Sequence, residues 1–177
     1  EVNPDQVANR PRGIIANPNC STMQLMVALK PIFDAAGIER INVATYQSVS
    51  GAGKEAVDEL ASQSAALLSG REAEVKVIAK QIAFNCVPQI DKFESNGYTR
   101  EEMKMFWETC KIMGDDSIRV NATTVRVPVF FGHSEAVHIE TRRKISAGEA
   151  RALLEKAPGV TVLDDRVPAG YPTAATE

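Results

Sequence analysis

A cysteine set directly before an apolar-periodic stretch is the residue in this chain with the most chemistry to offer. Cys20 stands in Asn17-Pro18-Asn19-Cys20-Ser21-Thr22, where a helix is expected to begin. The first N–H groups of a helix lack intrahelical partners and carry the positive end of its dipole. Both favour thiolate over thiol, and the thiolate is the nucleophile. The other reading of a free cysteine is a small buried hydrophobe. A thiolate nucleophile needs a proton shuttle, and the sequence holds two histidines, His133 and His138. His133 follows a glycine at the bend between two predicted strands, where a side chain can point into a cleft. His138 lies mid-strand among alternating apolar positions and reads as structural or solvent-facing.

Other polar residues carry two readings each. Arg126, in Thr124-Val125-Arg126-Val127-Pro128, faces opposite to Val125 and Val127 in a strand. It either grips a carboxylate in bidentate fashion or faces water from the sheet. Glu101 and Lys104 share one helix face, as a ligand-binding pair or as an exposed ion pair. Gln47 ends a strand and either lines a cleft or meets solvent. Ser50-Gly51-Ala52-Gly53-Lys54 has two glycines and a lysine, but its spacing fits neither the dinucleotide fingerprint nor the P-loop. Taken by itself it is a strand-to-helix turn.

These residues must be positioned by a mixed set of elements. Gly13 to Ala16 reads as a short buried strand. Thr22 to Ala36 reads as a helix with Met23, Met26, Val27, Leu29, Ile32 and Phe33 on one stripe and Gly37 as its stop. Arg40 to Ser50 is rich in β-branched and aromatic residues and predicts a long strand. A second helix runs to about Leu68. Arg71 to Asn96 is less regular, with an extended stretch at Phe84 to Pro88. Thr99 and Glu102 form the capping box of a third helix reaching Met113. Ile118 to Val129 and Glu135 to Arg143 are the clearest strands. Ser146 caps a last helix to Lys156, and Val160 to Leu163 predicts a final strand. The elements do not alternate strictly. They predict an α+β fold with one large sheet and helices on one face.

Composition narrows the class. The chain has 177 residues with an apolar share of 44%, ordinary for a globular core. One domain over residues 1–177 is expected. The net charge of −3 gives no reason to propose nucleic acid or an anionic membrane as partner. No apolar run has the length of a membrane-spanning helix. The three cysteines, Cys20, Cys86 and Cys110, are far apart, which suggests neither a disulfide framework nor a metal site. A reducing cytoplasm is the expected setting. The chain starts at Glu1 rather than Met, and a longer parent is expected.

Five separated motifs, in order, carry a resemblance. Asn17-Pro18-Asn19-Cys20-Ser21-Thr22, Tyr46-Gln47-Ser48-Val49-Ser50-Gly51-Ala52-Gly53, Glu101-Glu102-Met103-Lys104, Arg126-Val127-Pro128 and Gly132-His133-Ser134 resemble bacterial aspartate-β-semialdehyde dehydrogenase over essentially the whole chain. The resemblance implies a catalytic and dimerisation domain like the C-terminal domain of glyceraldehyde-3-phosphate dehydrogenases. It also implies an NADP-binding Rossmann domain that this chain lacks. Cys20 matches the nucleophile and His133 the general acid/base. Gln47 matches the residue that positions the acyl group, Arg126 the one binding the substrate α-carboxylate, and Glu101 the one meeting its amino group. Lys104 and Asn19 match phosphate-binding groups. Ser50 and Gly51 match the part of the domain that reaches NADP.

The implied reaction is reduction of L-aspartyl-4-phosphate by NADPH to the semialdehyde, through a cysteine thioester, with oxyanion stabilisation from backbone N–H at the start of the Cys20 helix. Its product feeds lysine, methionine, threonine and diaminopimelate biosynthesis. A homodimer or tetramer is implied, and the chain alone is expected not to turn over. Two other classes remain open on the residues: a non-catalytic assembly module of the same fold, and a Cys–His acyltransferase or hydrolase.

Overall fold

The helices start where the side chains can satisfy their first N–H groups. In the computed structural model, which describes residues 1–175, α1 spans Cys20–Ala36. Asn19 caps it, its side-chain oxygen accepting from the Ser21 and Thr22 N–H groups at 2.9 and 3.3 Å. Gly37 ends it at φ 64°. A side chain there would be strained, and its Cβ would lie 3.1 Å from Arg142 Cδ. The helix runs through Pro31, whose missing N–H leaves one carbonyl of the preceding turn without its donor.

The strand β1 spans Ile38–Gln47 and stops where the chain turns into a short 3-10 segment, Val49–Ala52. Helix α2 follows at Lys54–Leu68. Helix α3 spans Arg100–Met113, and its predicted capping box is formed. Glu102 Oε2 accepts from the Thr99 N–H at 2.7 Å and from its hydroxyl at 2.8 Å, and the Glu102 N–H reaches Thr99 Oγ1 at 3.4 Å. Strand β2 is Arg119–Arg126 and β3 is Ser134–Thr141. Helix α4, Ala147–Leu154, opens on a complete box between Ser146 and Glu149.

The strands pair in the order β2-β1-β3, so the expected α+β architecture holds around a three-stranded sheet. β2 ends before the expected Val129 because Pro128 has no N–H for a ladder. Two expected strands do not form. Residues 13–16 pair with no strand, and Ile14 and Ile15 are 71% and 60% exposed. Val160 to Leu163 also stays outside the sheet. A short apolar run becomes a strand only when another strand supplies its ladder. In the stretch from Phe84 to Pro88, Phe84 turns at φ 59°. Only Val87 is paired, in an antiparallel bridge to Arg126.

The chain divides into two compact units. One comprises Glu1–Val43, Met103–Ala122 and Val137–Pro172; the other Ala44–Glu102, Thr123–Ala136 and the residues from Thr173. Residues 176 and 177, the end of the single domain expected from sequence, lie outside the described residues. The first unit buries Leu25, Met26 and Leu29 of α1 against Ile38, Ile41 and Val43 of β1 and Met105 and Met113 of α3. The second has its own core of Val49, Ala56, Leu60, Ile78, Ile82, Ala83 and Val87.

The second core closes over an irregular segment whose backbone is held by side chains. Glu59 is 4% exposed. Its carboxylate accepts from the N–H groups of Lys76, Val77 and Ile78 at 2.6, 3.2 and 3.0 Å. One turn on, Gln63 Oε1 accepts from the Ile82 and Ala83 N–H groups at 2.9 and 3.1 Å. Removing such an acceptor leaves buried donors unsatisfied. Glu59→Ala is therefore expected to lower the unfolding free energy by about 3 kcal/mol. Glu59→Gln, which keeps one acceptor oxygen, loses less. Urea denaturation of the three proteins checks both.

Candidate active site

Period-2 register decides which polar side chains of the sheet face inward. In β1 the buried positions run Ile41, Val43, Thr45, Gln47, while Tyr46 is exposed. In β2 they run Ala122, Thr124, Arg126. Gln47 and Arg126 thus sit on the interior side, which settles their two readings: neither meets solvent. Gln47 Nε2 donates to Thr45 Oγ1 at 3.2 Å and to Glu101 Oε1 at 3.3 Å. Glu101 is buried, so it is not half of an exposed ion pair.

The end of β1 and the chain beyond β2 run side by side. Val127 N–H donates to the Gln47 carbonyl at 3.0 Å, Val49 N–H to Val129 at 2.9 Å, and Ser50 N–H to Phe130 at 3.1 Å. This pairing carries His133 back to Ser48. His133 Nδ1 lies 3.1 Å from the Ser48 backbone nitrogen and 3.1 Å from its hydroxyl oxygen, which is 3.0 Å from Ser50 Oγ. Arg126 is 7% exposed, and its Nη1 donates to the Ser48 carbonyl at 2.8 Å. Its own backbone exchanges two 2.9 Å hydrogen bonds with Val87.

Gly51 is exposed and lies over this group. A Cβ there would sit 3.0 Å from Arg126 Nη1 and 3.4 Å from both Cε1 and Nε2 of His133. The absence of that carbon is what lets residues 50–53 pass over the guanidinium and the imidazole. No phosphate-cradling motif accompanies this segment.

Burial holds His133 below the usual imidazole range, with the Arg126 guanidinium acting in the same direction; Glu101 and the Gly132 backbone oppose them. The folded state thus binds fewer protons than the unfolded chain between the two values. The corresponding stability is complete above the ordinary value of 6.5 and is lost as pH falls from there toward the folded value.

The first unit holds Asn19, Cys20 and Lys104. Cys20 is the first residue of α1 and is exposed. The Ser21 and Thr22 N–H groups are taken up by Asn19 Oδ1. The expectation that the helix start supplies oxyanion donors therefore fails for these two groups, because the cap already satisfies them. Glu108 accepts from the Asn19 N–H at 2.8 Å and was not anticipated. Its signal is spacing, since Lys104 and Glu108 are i,i+4 on α3. Ser48 was also missed, and nothing about a serine at a strand end marks it. His138 is exposed, as read from its mid-strand position. Cys110 is buried, its Sγ 3.7 Å from the Ile118 carbonyl. Burial raises its thiol, with Asp116 and Asp115 adding to the rise, which suits structure rather than reactivity.

A family model described as "Semialdehyde dehydrogenase, dimerisation domain" matches residues 29–177. The chain is similar to the aspartate-semialdehyde dehydrogenase of Legionella pneumophila, with 69% identity over 163 residues, 92% of this chain and 47% of the relative. It is similar in structure to aspartate semialdehyde dehydrogenase II of Vibrio cholerae complexed with ASA. The TM-score is 0.95 at 59% identity, covering 98% of this chain and 51% of that one. A more distant likeness is the Candida albicans enzyme solved with NADP, at TM-score 0.57, 25% identity, 86% of this chain and 39% of the other. The chain spans about half the length of the curated relatives it matches.

Denaturant titrations across about pH 8 to 5 test the His133 environment. Stability is expected to fall on the acid side, and His133→Asn is expected to lose that share of the acid sensitivity.

Proposed function

The chain belongs to the semialdehyde dehydrogenase dimerisation-domain family, and from that membership we propose that it is the catalytic and dimerisation domain, over residues 1–177, of an aspartate-semialdehyde dehydrogenase. The reaction is reductive dephosphorylation of L-aspartyl-4-phosphate to L-aspartate-4-semialdehyde, a step in amino-acid biosynthesis. One observation carries the reading: a buried arginine and a half-buried histidine are held on the same residue, Ser48, the arginine at its carbonyl and the histidine at its N–H. A buried cation with a fixed fork suits a small carboxylate. An imidazole beside it suits the reacting end of the same molecule.

In this reading Cys20 attacks the acyl carbon as the thiolate. The C–S bond forms, the C–O bond to phosphate breaks, and phosphate leaves with the electron pair. NADPH, when bound, supplies the hydride that reduces the thioester. The chain's own residues do the rest. Arg126 holds the α-carboxylate, and Glu101, braced by Gln47, meets the ammonium group. Gln47 also positions the acyl group. Lys104 and the amide nitrogen of Asn19 bind the phosphate, since Asn19 Oδ1 already serves the helix cap. His133, proposed as the general acid/base, attends the oxygen that gains charge. Ser50 and Gly51 contact the nicotinamide cofactor, whose main seat lies outside this chain.

A homodimer is the proposed assembly, in line with the family's description, and the reducing cytoplasm is the proposed setting. No helix among the described residues is long and apolar enough to cross a membrane. Exposed apolar side chains such as Phe131 and Phe84, each 65% exposed, are of the kind a copy-to-copy interface covers.

Incubation with the acyl phosphate, without hydride donor, is expected to leave an aspartyl adduct on Cys20 in peptide mass spectrometry, and Cys20→Ser is expected to abolish it. An equal adduct on exposed Cys86 would count against the reading. Sedimentation equilibrium is expected to give a dimer. A monomer at the highest concentrations would remove the assembly part.

A further inference from the structure

His133 offers two ring nitrogens, and their roles differ. A backbone N–H can only donate. With the Ser48 nitrogen 3.1 Å from Nδ1, Nδ1 accepts, and the single proton of the neutral ring resides on Nε2. The Ser48 hydroxyl adds a second contact to Nδ1 at 3.1 Å, with Ser50 Oγ behind it at 3.0 Å. Ser48 is fixed on both sides: the Val127 N–H donates at 3.0 Å to the Gln47 carbonyl of the peptide that bears the Ser48 N–H, and Arg126 Nη1 donates at 2.8 Å to the Ser48 carbonyl.

We propose that Ser48 is a positioning residue: its peptide N–H and hydroxyl hold His133 as the Nε2–H tautomer, so that His133 meets the reacting oxygen as a hydrogen-bond donor rather than as a proton acceptor. This rests on the function given above for the oxygen's identity, but not for the tautomer. Protonating the ring would place a hydrogen on Nδ1, pointing at the Ser48 N–H. The charged groups acting on the ring divide. Burial and Arg126 oppose a positive charge on the ring, while Glu101 and the Gly132 backbone favour it.

The chemistry balances without a proton acceptor at Nε2. Hydride, from a reduced nicotinamide, adds to the acyl carbon of the Cys20 thioester, and the C=O electron pair moves onto oxygen. Nε2–H stabilises that oxyanion by a hydrogen bond. The carbonyl then reforms, the C–S bond breaks, and its pair returns to sulfur. No proton needs to leave His133, so the neutral ring is sufficient. Gly51 brings no Cβ against the Cε1–Nε2 edge, where one would lie 3.4 Å from both atoms.

Long-range proton–nitrogen NMR of the chain labelled with nitrogen-15 histidine tests this directly. His138→Asn, at an exposed strand position, assigns the two rings. At neutral to mildly alkaline pH, His133 is expected to show an unprotonated Nδ1 and a protonated Nε2, with no Nδ1–H component. Exposed His138 is expected to show a mixture. An Nδ1–H ring at His133, or a mixture like that of His138, overturns the proposal. Ser48→Ala removes one donor to the neutral ring. It is expected to raise the titration midpoint of His133 by on the order of half a unit, with Ser48→Thr restoring it. An unmoved midpoint in Ser48→Ala removes the hydroxyl from the proposal, and the wild-type spectrum alone judges the N–H. Neither readout depends on Cys20, so a failed adduct experiment and a failed tautomer are separate results.

Discussion

A guanidinium cannot be taken out of water without partners, and the arrangement around Arg126 follows from that constraint. Its Nη1 is given to the Ser48 carbonyl, and its backbone is locked to Val87 on one side. The strand-like run of Val49 and Ser50 beside Val129 and Phe130 brings Ser48 into place. The N–H of the same residue, on the preceding peptide, meets His133. Site and scaffold are therefore not separable here. The hydrogen bond that compensates a buried charge falls on the residue that also meets the imidazole, and the Val127 N–H holds the Gln47–Ser48 peptide through its carbonyl.

Elsewhere the chain applies the same principle to the backbone itself. Residues 74 to 83 belong to no helix or strand, yet their buried N–H groups need acceptors. Glu59 and Gln63, one turn apart on α2, supply them. Asn19 does this for α1, and Glu102 serves both the Thr99 cap and the Thr124 N–H at 3.3 Å. A carboxylate or amide takes the place of a neighbouring strand, so an irregular segment can bury its own Ile78, Ile82 and Ala83 in the second core.

Helix ends were legible because capping is local. Thr99 with Glu102 and Ser146 with Glu149 lie three residues apart, so the sequence carries the whole interaction. Strand faces were harder to read. Thr45-Tyr46-Gln47 invites the guess that the aromatic ring is inside and the amide outside, and the reverse holds. Gln47 is tolerated inside because Glu101, far along the chain, accepts its hydrogen bond. Arg126 was placed opposite its valines, yet that parity did not say which side was interior. Ile14-Ile15 looked like a core strand, since apolar runs carry no record of whether a partner strand exists.

What the residues determined unaided was what acts over a few positions. That includes a helix opening close to Cys20, read from Thr22 and found from Cys20, its stop at Gly37, the paired caps, and a set of motifs specific enough to suggest the family. What the tertiary structure alone decided was burial and partnership: that Arg126 and Gln47 face inward, and that Ser48 meets Nδ1 of His133. The division has a physical cause. Caps and turns are settled by dihedral angles and hydrogen bonds within one turn of chain. The cost of burying a charge is settled only by whatever distant backbone the fold brings against it.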